Sequence, residues 1–314
     1  MAVLNIKRLA IPRYEVYGLT LESILPLPEL LASEGKVDVY IDIDRTKGVA
    51  SHEHSPILCV DASSTRAHLI WGGVGDLIIE DGQRITVLPD PNADEGALRL
   101  FILGAGLGVL LHQRGLLVLH ASGVVINDRV IGFIGAKGWG KSTTTAIMHQ
   151  RGHALISDEL LVVRFDDQGQ PRVIPGSPQI RLWSDALVST GRNLDSTDRV
   201  RPGIDKFNIN VSCMAPEGLR LHCLYLLDSG EELSIRPMSL SEAFFGVVPH
   251  LYVHRFGTYF LKAMDMEYTF RQLNQLLKKI NVRRLLRWKD LNQLPDIAQR
   301  VEQDIFQEFK SEKP

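Results

Sequence analysis

The chain has 314 residues, 45% of them hydrophobic and 23% charged, with a formal net charge of -2. These proportions belong to an ordinary globular protein and exclude global disorder, and the near-neutral balance excludes a broad basic field for sequence-independent binding of nucleic acid. Three cysteines, Cys59, Cys213 and Cys223, form no CxxC pair; they read as buried small apolar residues rather than a zinc or redox motif.

The first fourteen residues carry Lys7, Arg8 and Arg13 and lack the apolar core and small-residue cleavage site of a signal peptide, so a cytoplasmic protein is expected. Up to about residue 95 the signals are short and β-like. Apolar or alternating runs at 37–43, 57–60, 68–71, 77–79 and 84–88 are separated by Gly, Asp and Ser turns, which predicts a small antiparallel β domain over residues 1–95. Its end is marked by Pro89-Asp90-Pro91-Asn92, where two prolines bracket turn formers ahead of a helix cap.

A second part, 96–314, mixes helix and strand. A helix is predicted over 97–113 and a strand over 116–119; His112, Gln113 and Arg114 divide this greasy stretch, so a buried helix and strand fit better than a membrane span, which needs about 20 uninterrupted apolar residues. Strands at 123–126 and 130–134 are joined by Asn127-Asp128, a hairpin-type turn. A helix over 141–150 stops at Gly152, followed by strands at 154–156 and 160–165. Further on, strands are expected at 172–174 and 221–227 and helices at 240–248, 266–279 and 295–309.

Between the strand ending at residue 134 and the helix starting at 141 lies Gly135-Ala136-Lys137-Gly138-Trp139-Gly140-Lys141-Ser142, a match to GxxxxGK[ST] in the strand–loop–helix setting that gives the pattern meaning. Glycines let the backbone turn so that N–H groups face phosphate oxygens, and the helix N-terminus adds its dipole. Lys141 offers a cation to the β and γ phosphates, and Ser142 a magnesium ligand, with Thr143 next in the helix. In a parallel sheet ligand chemistry sits beyond the carboxyl ends of strands. Asp158 and Glu159 follow the strand to which this helix leads, which suits a carboxylate that holds a metal or accepts a hydroxyl proton.

Other residues carry weaker signals. Arg181 and Lys206 are candidate contacts for phosphate or substrate, and His250 and His254 read as two ordinary histidines on a helix face. Arg283, Arg284 and Arg287 read as an exposed, solvated face.

The features from His120 to Asp158 resemble, in order, the kinase domain of the HPr kinase/phosphorylase family, whose fold is akin to that of ATP-dependent phosphoenolpyruvate carboxykinase. These are a histidine opening a β hairpin, the P-loop, a helix, then Arg151-Gly152-His153 and an acidic pair after a short strand. The resemblance implies an α/β P-loop kinase domain that uses ATP and Mg2+, with Asp158 as catalytic base, His120 beside it and Lys141 on the transferred phosphoryl group. The family's second acidic position is commonly aspartate and is Glu159 here.

Tyr17-Gly18-Leu19-Thr20, the run 25–30, the run 110–115 and Ile180-Arg181-Leu182-Trp183 are similar to a divergent branch of those kinases found beside lasso-peptide biosynthetic genes. That likeness implies phosphorylation of a serine hydroxyl on a peptide or protein, and a homo-oligomer. No segment downstream of Asp158 matches the one by which HPr kinases recognise and dephosphorylate their protein substrate. Two rivals share the P-loop: a hydrolytic nucleotide switch, and a nucleotide-binding scaffold without catalysis.

Overall fold

The computed structural model describes residues 11–46, 56–264 and 266–311, and all side chains there except those of Thr258 and Tyr259. The charged residues Lys7 and Arg8 of the N-terminal stretch fall outside these. A hairpin starts the described chain: β1 (Arg13–Val16) and β2 (Leu19–Ser23) pair through Tyr17 and Gly18, both at positive φ (54° and 67°), as a tight type I′-like turn requires. With β3 (Leu31–Ala32), β4 (Val39–Ile43), β5 (Leu58–Ala62), β6 (Arg66–Trp71), β7 (Gly75–Glu80) and β8 (Arg84–Pro89) they form one eight-stranded sheet in the order β3-β1-β2-β4-β8-β7-β6-β5. The sheet is mixed rather than antiparallel, because β2 runs parallel to β4 and β4 parallel to β8. Side-chain alternation reports which residues form strands but carries no record of strand direction.

Asp94 then caps a helix, its side chain accepting from the Ala97 N–H at 2.9 Å. The helix runs as α1 (Glu95–Phe101), a π-helical turn (Ile102–Gly106) and α2 (Leu107–Gln113). By length and composition Glu95–Gln113 could cross a membrane, but 72% of its most apolar window is buried in the protein, wedged among the residues of the largest core cluster.

The second sheet begins with β9 (Leu117–Ile126), a single ten-residue strand where two short ones are expected, and returns through Asn127 and Asp128, at φ 48° and 58°, into β10 (Arg129–Ile134). Next come α3 (Lys141–Gln150), β11 (Ala154–Ser157), β12 (Leu160–Phe165), β13 (Pro171–Ile174), β14 (Gln179–Trp183), α4 (Ser184–Ser189), β15 (Lys206–Asn210), β16 (Leu219–Ser229) and β17 (Ser234–Pro237). The chain ends with α5 (Leu240–Val247), α6 (Gly257–Ala263), α7 (Met266–Leu277), β18 (Asn281–Arg287) and α8 (Leu294–Ser311).

The strand order is β10-β9-β12-β13-β16-β18-β17, and the additional pairing of β10 with β16 closes the first five strands into a ring. Gly132 makes that closure possible. A Cβ there would lie 2.6 Å from a Leu224 methyl and 3.1 Å from one of Leu161, so a larger residue would be driven into the ring's filled interior.

Three expectations change. Arg283, Arg284 and Arg287 belong to strand β18, not to a solvated face: Arg283 pairs with Asp304 and with Glu308 (2.6 Å), Arg284 with Asp228 (2.6 Å), and Arg287 is buried. Of the cysteines, only Cys223 is buried, whereas Cys59 is half-buried and Cys213 exposed. His250 and His254 sit in successive 3-10 turns rather than on one helix face.

Candidate active site

Strands β10, β16 and β18 run parallel, so their carboxyl ends share one edge. Gly135 follows β10 there, and the loop to α3 turns on three glycines at positive φ: Gly135 (157°), Gly138 (80°) and Gly140 (74°). Gly140 is the residue immediately before the helix, a left-handed position that a side chain would strain. The loop thus curls over its own helix N-terminus. Lys141, 8% exposed, lies across this curl, its Nζ donating to the carbonyls of Gly135 (2.8 Å) and Ala136 (3.4 Å). Burial pulls its ammonium down to about 8, against the opposing pull of Asp158.

The acidic pair is placed by a break in a strand. Both β11 and β12 pair antiparallel with β9, with Ser157 opposite Gly123 and Leu160 opposite His120. They therefore lie along one line, interrupted at Asp158-Glu159, where Glu159 takes φ 83°, an uncommon conformation for a residue with a side chain. Asp158 follows the carboxyl end of β11, which runs in the same direction as β10 because both are antiparallel to β9; the change from expectation is that β9 lies between them, so the two are not hydrogen-bonded neighbours. His120 likewise sits within β9 instead of at its end.

At the kink the two carboxylates part. Asp158 turns to the loop: Oδ1 accepts from Ser142 Oγ at 2.8 Å and from Ser122 Oγ at 2.5 Å, and Oδ2 accepts from the Arg181 backbone N–H at 3.0 Å. Glu159 turns to cations, accepting from Arg181 Nη1 (2.7 Å) and Arg255 Nη1 (3.2 Å). Burial pushes the Glu159 carboxyl up, but the two guanidiniums and the neighbouring charges outweigh it and hold it at about 2.

His120 Nδ1 lies 3.2 Å from the Glu159 carbonyl, a bond that requires an Nδ1–H; the approach of Arg255 to the same nitrogen, at 3.4 Å, is then a charge contact rather than a second hydrogen bond. Burial, with the positive charges of Lys141 and Arg255, lowers His120 to about 3, so the imidazole is neutral at pH 7.

These groups face a cleft of about 670 Å³ that brings together His120, the loop from Gly135 to Thr143, Asp158, Glu159, Arg181 and Lys206. Lys206 arrives from β15, which pairs with β14 so that Lys206 stands opposite Trp183. Every residue singled out in the sequence for nucleotide, metal or substrate thus lines one space.

Sequence reasoning missed Ser122, Arg255, His250 and Arg287 as residues of the same cleft. Arg255 is delivered by an irregular segment tied to β9 through an isolated bridge between Leu119 and Leu251, which has no periodic signature. By contrast, Arg151 and His153 lie outside the cleft residues and grip Glu302 of α8 at 2.7–2.9 Å, a structural clamp.

Among the described residues no group of three or more His, Cys, Asp or Glu side chains is arranged to hold a metal. Ser142 Oγ and Asp158 Oδ1 do sit side by side, a hard-oxygen pair that suits magnesium, which commonly takes one or two protein ligands and completes its shell with phosphate and water. Glu159 has both carboxylate oxygens on guanidiniums.

No protein-family model and no curated protein matches the chain. Among solved structures, the Hpr(Ser) kinase/phosphatase from Coxiella burnetii is similar at 15% sequence identity and a TM-score of 0.32, over 62% of this chain and 93% of that one. A likeness at that score carries no argument.

Proposed function

We propose that the cleft binds ATP on the Gly135–Ser142 loop and transfers its γ-phosphoryl group to a hydroxyl, a serine of a peptide or protein. One observation carries the reading: a carboxylate, Asp158, is hydrogen-bonded at 2.8 Å to the serine that ends the phosphate loop. The serine of such a loop faces the β and γ phosphates of a bound nucleotide, which supports a proton-acceptor role for the carboxylate bonded to it.

In the transfer, the acceptor hydroxyl gives its proton to Asp158 as its oxygen bonds to the γ-phosphorus. The bond from phosphorus to the β,γ-bridging oxygen breaks, and nucleoside diphosphate leaves. Lys141 and the loop N–H groups stabilise the charge on the transferred group. Magnesium, held by Ser142 and Asp158, would supply further charge neutralisation at the β and γ phosphates.

Ser122 and the Arg181 N–H fix the Asp158 carboxylate in place. Neutral His120 and cationic Arg255 both contact Glu159, the next residue in the chain. The choice of serine as acceptor rests on the likeness of Tyr17–Thr20, the runs 25–30 and 110–115 and Ile180–Trp183 to the branch of kinases named above.

The test is transfer of labelled γ-phosphate, with magnesium, to serine-containing peptides and to extract from the protein's source. A labelled acceptor should appear with the native protein and vanish with Lys141→Ala. Asp158→Asn should still bind nucleotide while losing transfer by about 10²–10⁴-fold; equal transfer by the two proteins removes Asp158 from the reaction. Labelled free phosphate without an acceptor would replace the kinase by a hydrolytic switch.

A further inference from the structure

Arg287 is the last residue of β18, at the shared carboxyl edge of the parallel strands β10, β16 and β18, and lines the cleft with the phosphate loop. Its Nη2 donates to the Trp139 carbonyl of that loop, and it fills the space beside Gly140, where a Cβ would lie 2.8 Å from the same nitrogen. The side chain is nearly enclosed, at 4% exposure, yet its Nε–H has no hydrogen-bond partner. The other arginines nearby each pair with a carboxylate: Arg283 with Asp304 and Glu308, Arg284 with Asp228, and Arg181 and Arg255 with the shared Glu159. No such pairing is seen for Arg287 among the described residues.

A buried guanidinium left unpaired is costly and is retained where an anion completes it. Here the neighbouring surface is a glycine-turned loop that leads into the N-terminus of α3, the kind of backbone whose N–H groups bind phosphate oxygens. We infer that Arg287 is a nucleotide-binding residue: it donates to the phosphate chain held by the Gly135–Ser142 loop, from the end of β18 beside Trp139 and Gly140. This rests on the nucleotide reading of the cleft and adds to it a binding cation supplied some 150 residues downstream of the motif, by another strand of the same edge.

The alternative is a purely structural role, holding the loop through the Trp139 carbonyl. Arg287→Gln keeps an N–H donor for that carbonyl and removes the charge; Arg287→Lys keeps the charge. Titration calorimetry with ATP and with inorganic tripolyphosphate, alongside melting curves, separates the two roles.

Arg287→Gln should bind both ligands about tenfold or more weakly, and Arg287→Lys should stay within a few-fold of the native protein. Equal binding by native protein and Arg287→Gln, or equal losses in both variants, overturns the inference while leaving nucleotide binding intact. If the native protein binds neither ligand, the nucleotide reading itself falls and this inference with it.

Should Arg287→Gln fail to fold, the native protein still decides. With nitrogen-15-labelled arginine, the Nε–H resonance that disappears in Arg287→Lys should shift on addition of tripolyphosphate. A resonance that does not move overturns the assignment.

Discussion

Asp158 and Glu159 are neighbours in the chain and face different chemistry, because the kink at φ 83° sends one carboxylate to two serines and the other to two guanidiniums. The second carboxylate organises cations. Removing its charge by Glu159→Gln leaves Arg181 and Arg255 uncompensated and should destabilise the fold at neutral pH by about 1–3 kcal/mol, a value discounted from a fully buried pair because the Glu159 side chain keeps 22% of its surface and that of Arg255 41%. The sign of the pH dependence follows from a folded value of about 2 against an unfolded value of about 4.3. The stabilisation is complete above the unfolded value and is lost as pH falls through the folded one. Urea unfolding of native and variant proteins should therefore differ at pH 7 and converge as pH drops from about 5 toward 2; a gap that persists at pH 2 would mean that packing, not charge, is lost.

Lys141 gives a second pH signature. With its ammonium lowered to about 8 by burial, the free protein loses the loop's cation as pH rises through that value, so nucleotide kcat/KM should decline above pH 8, since that ratio reports the free enzyme. Lys141→Arg, which keeps its charge, should lack the inflection even if slower. The lysine and glycines were readable from sequence because one short segment contains every part of the loop's chemistry. Arg255 and Arg287 were not, because each acquires its role only when the sheet brings a distant segment to the loop, and in isolation an arginine reads as a solvated charge.

At the scale of elements, the helix Glu95–Gln113 links core and site. The turn formers Pro89 to Asn92 announced its start, expected at 97 and found at 95, and the apolar run its length; the π turn at Ile102–Gly106 has no such signal, since it is set by what the helix packs against. Along that face a Cβ on Gly104 would sit 3.6 Å from Glu159 Oε1 and from the Tyr252 hydroxyl oxygen, while one on Gly108 would sit 2.2 Å from the Tyr252 ring. Tyr252 is buried, and Arg255 lies over its ring at 5.0 Å.

Gly108→Ala therefore poses a contest. Helix propensity favours alanine by about 1 kcal/mol, whereas overpacking against an immobile aromatic ring costs about 1–3 kcal/mol. The steric term should win, giving a lower urea midpoint and, through the displaced Tyr252 and Arg255, slower transfer. A variant more stable than the native protein would show that the helix and ring are not in contact as described. Strand pairing shows the same division between local and distant causes. The Asn127-Asp128 hairpin was legible because its turn residues lie beside its strands, but the closure of β10 onto β16 joins residues some ninety positions apart, and no local pattern encodes it.

Across the whole molecule, the sequence divides at about residue 95, where β-like signals give way to mixed ones, and the first sheet does end at Pro89. Packing does not respect that division. The largest hydrophobic cluster runs from Val16 and Leu21 in the first sheet, through Phe101 and Leu110 of the helix, to Leu161 and Leu224 of the second. Polar pins reinforce it: Arg99 donates to Glu29 at 2.7 Å, Arg114 to the Gly82 carbonyl at 2.7 Å, and the Tyr17 N–H to the Pro175 carbonyl at 3.2 Å. Pulling the sheets apart would bare a helix that is apolar on nearly every face, at about 25 cal/mol for each Å² exposed.

The two sheets should therefore unfold together. Trp71 reports on the first, against Phe101 at 5.5 Å, and Trp139 on the phosphate loop. Variants retaining only one of these tryptophans should show urea transitions with the same midpoint, and calorimetry a single peak whose van't Hoff and calorimetric enthalpies agree. Two separated transitions, the Trp71 signal moving first, would mean that the helix holds to the second sheet alone and that the first sheet is an attachment rather than part of the same core.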